Sequence, residues 1–117
     1  VAVIVQVEHI EAVESIEEIV KIEGIDGIML GPYDLSASLG KMGQLDDPTV
    51  VEAISKVTRA CKSSGMPIGV FGVSAESVLP YMQDGYNLIL AGVDTMLLAN
   101  AAKGLLKELQ SQKENKP

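Results

Sequence analysis

Short apolar runs alternate with amphipathic stretches along the whole chain. Val1–Val7 is nearly continuous in β-branched residues, as in a strand covered on both faces. From Glu11 to Ile22, apolar residues at Ala12, Val13, Ile16, Ile19, Val20 and Ile22 recur at helical spacing with Glu and Lys between them. Gly24 then ends the helix in the usual C-terminal way. Ile25–Leu30 predicts a second strand and Leu35–Leu39 a short helix, followed by the polar loop "GKMGQLDD". Asp47 as N-cap and Pro48 in the first turn open a helix to about Ser63, which Gly65 closes. Pro67–Phe71 predicts a third strand, Ala75–Gln83 a helix, Leu88–Ala91 a fourth strand, and Thr95 to about Gln110 a last helix. The remaining "SQKENKP", residues 111–117, reads as a frayed polar tail.

The order is β-α-β-α-α-β-α-β-α, which implies parallel strands joined by right-handed crossovers. A weak internal echo supports it: "GIDGIMLG" (Gly24–Gly31) resembles "GYNLILAG" (Gly85–Gly92), a helix-ending glycine, a strand, and a glycine at the strand's far end. Four βα units suit either an open doubly wound sheet or half of an eight-stranded barrel of ~250 residues. The chain starts inside a strand-like run and without Met. That favours the half-barrel, residues 1–110, as a piece of something longer.

Composition narrows the partners. Hydrophobic residues are 47% of the 117, a globular proportion, while aromatics are 3%, so the core is aliphatic and base-stacking platforms are scarce. Sixteen acidic against nine basic residues leave a net charge of −7. This argues against nucleic acid or an anionic membrane as partner. The single cysteine, Cys61, forms no internal disulfide and points to a reducing, cytoplasmic setting.

Chemistry concentrates at two strand ends. In "VQVEH", Gln6 and Glu8 are two apart on a strand and face the same side. Asp34 in "GPYDLSASLG" stands at the lip of the next strand. Neighbouring parallel strands lie ~4.8 Å apart, so Glu8 and Asp34 could converge on one ion. Two carboxylates without a Cys or His cluster suit a hard divalent cation such as Mg²⁺. Each also has a plainer reading: Asp34 as N-cap of the Leu35–Leu39 helix, Glu8 as a solvated loop carboxylate. His9, next to Glu8, points off the inward face and reads as a surface residue. Cys61 reads as a small core residue. Gly72 and Gly92 read as tight strand-to-helix turns, with a phosphate loop as the alternative. The acidic run Glu11, Glu14, Glu17 and Glu18 reads as a solvated helix face.

The stretches "QVEH…AVESIEEIVKIEGIDGIMLGPYDLSASLG" and "AGVDT…LLANAAKGL" resemble the C-terminal half of the HpcH/HpaI aldolases, the metal-dependent class II pyruvate aldolases, from about Val3 to Leu106. The resemblance implies a (β/α)8 TIM barrel, usually a homo-oligomer, that cleaves 4-hydroxy-2-oxo acids to pyruvate and an aldehyde. It implies that Glu8 and Asp34 hold Mg²⁺, Mn²⁺ or another divalent cation, which offsets the charge of a pyruvate enolate. Gln6 would lie beside the pyruvyl group, and the Tyr33 and Asp34 amides would receive its carboxylate near Gly31 and Pro32. Tyr33 stands where relatives carry a small residue, and Phe71 is bulkier than its usual aliphatic counterpart. The family's basic histidine and substrate arginine belong to the N-terminal half, and His9 does not match that position. The resemblance thus implies either pairing with that missing half-barrel or self-association, and an isolated chain of weak activity. The alternative is a non-catalytic α/β module that keeps the fold and associates through its edges.

Overall fold

The computed structural model describes residues 1–114. Four strands, β1 (Ile4–Val7), β2 (Gly27–Leu30), β3 (Ile68–Gly72) and β4 (Leu88–Ala91), form one parallel sheet in the order β1-β2-β3-β4. Between them run α1 (Ile10–Glu14), α2 (Ile16–Ile19), α3 (Pro32–Ser38), α4 (Pro48–Ser64) and α5 (Ala75–Gln83), and α6 (Asp94–Glu114) follows β4. A parallel sheet whose spatial order equals its chain order never reverses direction, so every right-handed crossover falls on the same face. That excludes the doubly wound alternative and leaves half of a (β/α)8 barrel, the C-terminal half by the resemblance.

Strand parity shows the one-sidedness. Val7, Ile28, Leu30, Ile68 and Val70 are buried under the helices, in one core with Val13, Ile16, Leu35, Val57 and Cys61. Full burial of each such aliphatic side chain stabilises the fold by ~1.5–3 kcal/mol. The alternate positions face the other way: Ile4, Gln6, Phe71, Leu88 and Leu90 are exposed there, with Met29 lying over Gly69. Val1–Val7 was expected to be covered on both faces. Instead β1 begins only at Ile4 and has an open inner face. Val3 still joins the sheet's edge, exchanging hydrogen bonds with Asp26.

Other elements depart from expectation for local reasons. The helix expected over Glu11–Ile22 is broken at Ser15, which ends α1 and begins α2 without a side-chain cap; Val13, Ile16 and Val20 stay buried across the break. The short helix expected from Leu35 starts three residues earlier, because Pro32 occupies its first turn with Gly31 as N-cap. α4 is as read, capped by the Asp47 carboxylate on the Thr49 amide and closed by Gly65 at φ 72°. α6 runs on through Ser111–Glu114, where a frayed tail was expected; positions 115–117 lie outside the described residues. Leu98, Leu105 and Leu109 of α6 are exposed. No described helix is long and apolar enough to cross a membrane.

Candidate functional site

The two chemistry-bearing stretches meet at the carboxyl end of the β1–β2 pair. The register sets Gln6 beside Met29 and Val7 beside Leu30, and the Gly31 amide then donates to Val7 O across 3.0 Å. Glu8 therefore leaves β1 beside Gly31. Gln6 Nε2 donates to Glu8 Oε2 at 2.6 Å, which orients the half-buried carboxylate. A Cβ at position 31 would lie 3.1 Å from Glu8 Cβ, 3.2 Å from Glu8 Oε2 and 3.3 Å from Gln6 Nε2. Only a glycine leaves that pair undisturbed.

Asp34 falls in the first turn of α3, two residues after Pro32 at the helix start. It is not the N-cap, so that reading of Asp34 is withdrawn: the cap position belongs to Gly31. The Asp34 side chain is exposed, and among the described residues none donates a hydrogen bond to it or forms an ion pair with it. A carboxylate in the first turn is favoured by the helix dipole. Buried Pro32 fixes the turn, and the exposed Tyr33 ring rests on Gly43 at 3.4 Å from where its Cβ would be. No third Asp, Glu, His or Cys completes a cluster among the described residues. Gln6, Glu8 and Asp34 thus stand at the carboxyl ends of β1 and β2, Gln6 and Asp34 exposed and Glu8 half-buried.

The other candidates resolve plainly. His9 is exposed and caps α1, its Nδ1 accepting from the Glu11 amide at 3.3 Å. Cys61 is buried in the core, and burial pushes its thiol up to about 11, far from a reactive thiolate. A Cβ on Gly72 would meet Ser77 Oγ and Val78 Cγ1 at 2.5 Å, so this glycine serves close strand-to-helix packing. Glu11, Glu14, Glu17 and Glu18 are all exposed.

Two serines of "DLSASLG" carry more than their small size suggested. Ser36, fully buried, donates to Tyr33 O at 2.6 Å and accepts from the Gly43 amide at 2.9 Å, folding the loop back on α3. Ser38 donates to Leu35 O at 2.8 Å and accepts from the Ile10 amide at 3.1 Å. Serine inside a seven-residue helix runs against helix propensity, and that was the available signal.

Residues 1–101 match the HpcH/HpaI aldolase/citrate lyase family. The chain is 43% identical over 103 residues to a hydroxypyruvate/pyruvate aldolase of Paraburkholderia phytofirmans, covering 88% of this chain and 39% of that protein. It is 35% identical over 85 residues to the 4-hydroxy-2-oxo-heptane-1,7-dioate aldolase of Escherichia coli, covering 73% of this chain and 32% of the relative. Among solved structures, an HpcH/HpaI aldolase/citrate lyase family protein from Burkholderia cenocepacia superposes with a TM-score of 0.88 at 37% identity, covering 94% of this chain and 43% of that one. The chain spans between about a third and under half the length of the relatives it matches.

Proposed function

The chain belongs to the HpcH/HpaI aldolase/citrate lyase family, and from that premise we propose that it forms the cation- and 2-oxo-acid-binding half of a divalent-metal-dependent aldolase. The reaction is cleavage of a 4-hydroxy-2-oxo acid to pyruvate and an aldehyde, and its reverse. One observation carries the reading: the oriented Gln6–Glu8 pair abuts a bare glycine backbone, with the unpaired Asp34 carboxylate one short turn away.

The donor set fits a hard cation. Two carboxylates without nitrogen or sulfur ligands suit Mg²⁺ or Mn²⁺, which keep several positions for water and substrate oxygens. In this reading Glu8 and Asp34 hold the ion. When bound, the cation supplies a Lewis acid that offsets the negative charge developing on the pyruvyl portion as the carbon–carbon bond breaks. Gln6 spends one amide N–H on Glu8 and has its other for a ligand oxygen. Gly31 permits close approach, and Pro32 holds the turn. The first-turn amides of Tyr33 and Asp34, which have no intrahelical partner, receive the substrate carboxylate. Tyr33, braced on Gly43, narrows that side of the site.

Among the described residues no further His, Asp, Glu or Cys joins this set as a base for the 4-hydroxyl proton, and His9 uses Nδ1 as a helix cap. General acid–base catalysis typically contributes ~10²–10⁴-fold, so the chain alone binds pyruvate or oxalate weakly and turns over slowly by that order. An N-terminal half-barrel, lying on the open inner face and supplying the base and an arginine, completes the enzyme. We place the assembled protein in the cytoplasm as a homo-oligomer.

Melting curves test this. Mg²⁺ or Mn²⁺ with oxalate should raise Tm by mass action, and the double variant Glu8→Gln/Asp34→Asn should lose the shift. An unchanged response in the double variant refutes the assignment of the ligands.

A further inference from the structure

Glu8 and Asp34 sit on different elements, each attached to something short. The α1 helix that follows Glu8 has five residues, and the α3 helix that carries Asp34 has seven. Neither is long enough to hold its own position by helix formation alone. Besides the backbone bond from the Gly31 amide to Val7 O, one side-chain oxygen atom connects them. Ser38 Oγ donates to the carbonyl of Leu35, the residue after Asp34, and accepts from the amide of Ile10, two residues after Glu8.

The Ile10 amide is one of the N–H groups at the start of α1 without an intrahelical acceptor. The neighbouring Glu11 amide is capped locally by His9 Nδ1, and those of Ala12 and Val13 reach His9 O. The Ile10 amide alone is satisfied from another element, across 28 residues of sequence. Ile10 and Ser38 are both partly buried, so the bond is shielded from competing water. Ser36 braces the same helix from its other side, through the Tyr33 carbonyl and the Gly43 amide.

We propose that Ser38 is a positioning residue that sets the separation of the Glu8 and Asp34 carboxylates by tying the start of α1 to α3. The proposal rests on the cation-site reading above. Partners that orient metal ligands are typically worth ~10–100-fold in metal affinity, and a ligand pair spread over two elements has no other described side-chain tie between them. Helix propensity opposes the alternative view of Ser38 as a helix-forming residue, because alanine would serve α3 better.

Mn²⁺ titration of the 117-residue chain, read by electron paramagnetic resonance well below each variant's Tm, tests it. Ser38→Ala should raise the Mn²⁺ dissociation constant ~10-fold or more. Ser38→Thr, which keeps the hydroxyl, should bind within about threefold of the original chain. Ser64→Ala removes a hydroxyl bonded only to carbonyls of its own helix and should leave binding unchanged. Should Ser38→Ala fail to fold, Ser38→Cys keeps the bulk and weakens both hydrogen bonds. Wild-type affinity in a folded Ser38→Ala or Ser38→Cys variant overturns the proposal, as does a Ser38→Thr variant no better than alanine.

Amide hydrogen exchange without metal separates this result from failure of the cation reading. In Ser38→Ala the Ile10 amide should exchange ~10-fold faster, with Val13 unchanged. Equal Ile10 exchange in both chains shows that the tie does not form, which overturns the proposal whatever the metal does. Faster Ile10 exchange together with no Mn²⁺ binding to the original chain leaves the tie standing but overturns its positioning role, along with the cation site.

Discussion

Gly31→Ala should weaken cation binding while leaving the fold nearly as stable as before. Gly31 has φ −107°, so alanine meets no left-handed backbone there. The added Cβ instead approaches Glu8 Cβ at 3.1 Å, Glu8 Oε2 at 3.2 Å and Gln6 Nε2 at 3.3 Å, and each contact must open by a few tenths of an ångström. Turning a side chain ~30° off its rotamer costs ~0.5–1.5 kcal/mol, and a hydrogen bond to a charged group is worth ~1.5–3 kcal/mol. In the free chain Gln6 is exposed and Glu8 half-buried, so their polar ends can swing outward, and only the Glu8 Cβ contact is left to a backbone shift of a few tenths of an ångström. A bound cation removes the freedom. The penalty then falls on the complex, at ~1–2 kcal/mol, or ~5- to 30-fold in Kd.

A second glycine provides the control. Gly40 has φ 70° with nothing within 4 Å of an added Cβ. Alanine there takes on ~1–2 kcal/mol of left-handed strain without touching the site. Gly40→Ala should thus lower Tm by several degrees and keep its Mn²⁺ affinity, whereas Gly31→Ala should do the opposite. Calorimetric Mn²⁺ titration and thermal melting of both variants decide it. An unchanged Kd in Gly31→Ala, or a Tm loss there as large as in Gly40→Ala, refutes the reasoning.

Thr58 gives its single hydroxyl hydrogen to Ile54 O at 2.8 Å, so in the buried 2.7 Å contact Tyr86 must be the donor. Thr58→Val strands that phenol O–H and should cost ~1–3 kcal/mol, against ~0.5–1.5 kcal/mol for Tyr86→Phe, which leaves only an unused lone pair. Urea unfolding that ranks the two variants equally or in reverse contradicts the donor assignment. Asp47 is held at about 2, below its ordinary 3.8, by the Thr49 hydroxyl first, then the Thr49 amide and Lys41. Its contribution to stability is therefore complete above about pH 4 and disappears as pH falls towards 2. Asp47→Asn should flatten Tm against pH over that window, and an unaltered slope would remove Asp47 from the account.

The sequence displayed most clearly what depends on strict periods and caps. β4 and α5 have the bounds read from the chain, and Asp47 and Gly65 mark the ends of α4. The shared face of Gln6 and Glu8 follows from the two-residue strand period, which their hydrogen bond bears out. The break at Ser15 was hidden because the apolar spacing continues through it: Val13 and Ile16 are buried on either side. The early start of α3 was hidden because Gly-Pro reads equally as a turn and as a helix entrance. The open inner face escaped notice at β1 because a β-branched run looks the same whether one face or two are covered. The Ser38 tie leaves no periodic trace at all, since it depends on where two separate elements meet.

The β1–β2 pairing has a further consequence, for the order of folding. Val3 and Asp26, bonded at its open end, are 23 residues apart in the chain, a short span for a parallel pairing. Loop-closure entropy grows slowly with length but must be met before distant contacts contribute. This first crossover is nonetheless longer than the one joining β3 to β4, where Gly69 and Leu88 pair 19 residues apart, and it contains Gln6 and Glu8 but not Asp34, which follows β2 on α3. The ligand pair is therefore complete only once α3 has followed β2 into place. A substitution that disfavours closure of the loop between residues 8 and 26 should weaken cation binding as well as slow refolding, whereas one in β4 should leave cation binding unchanged.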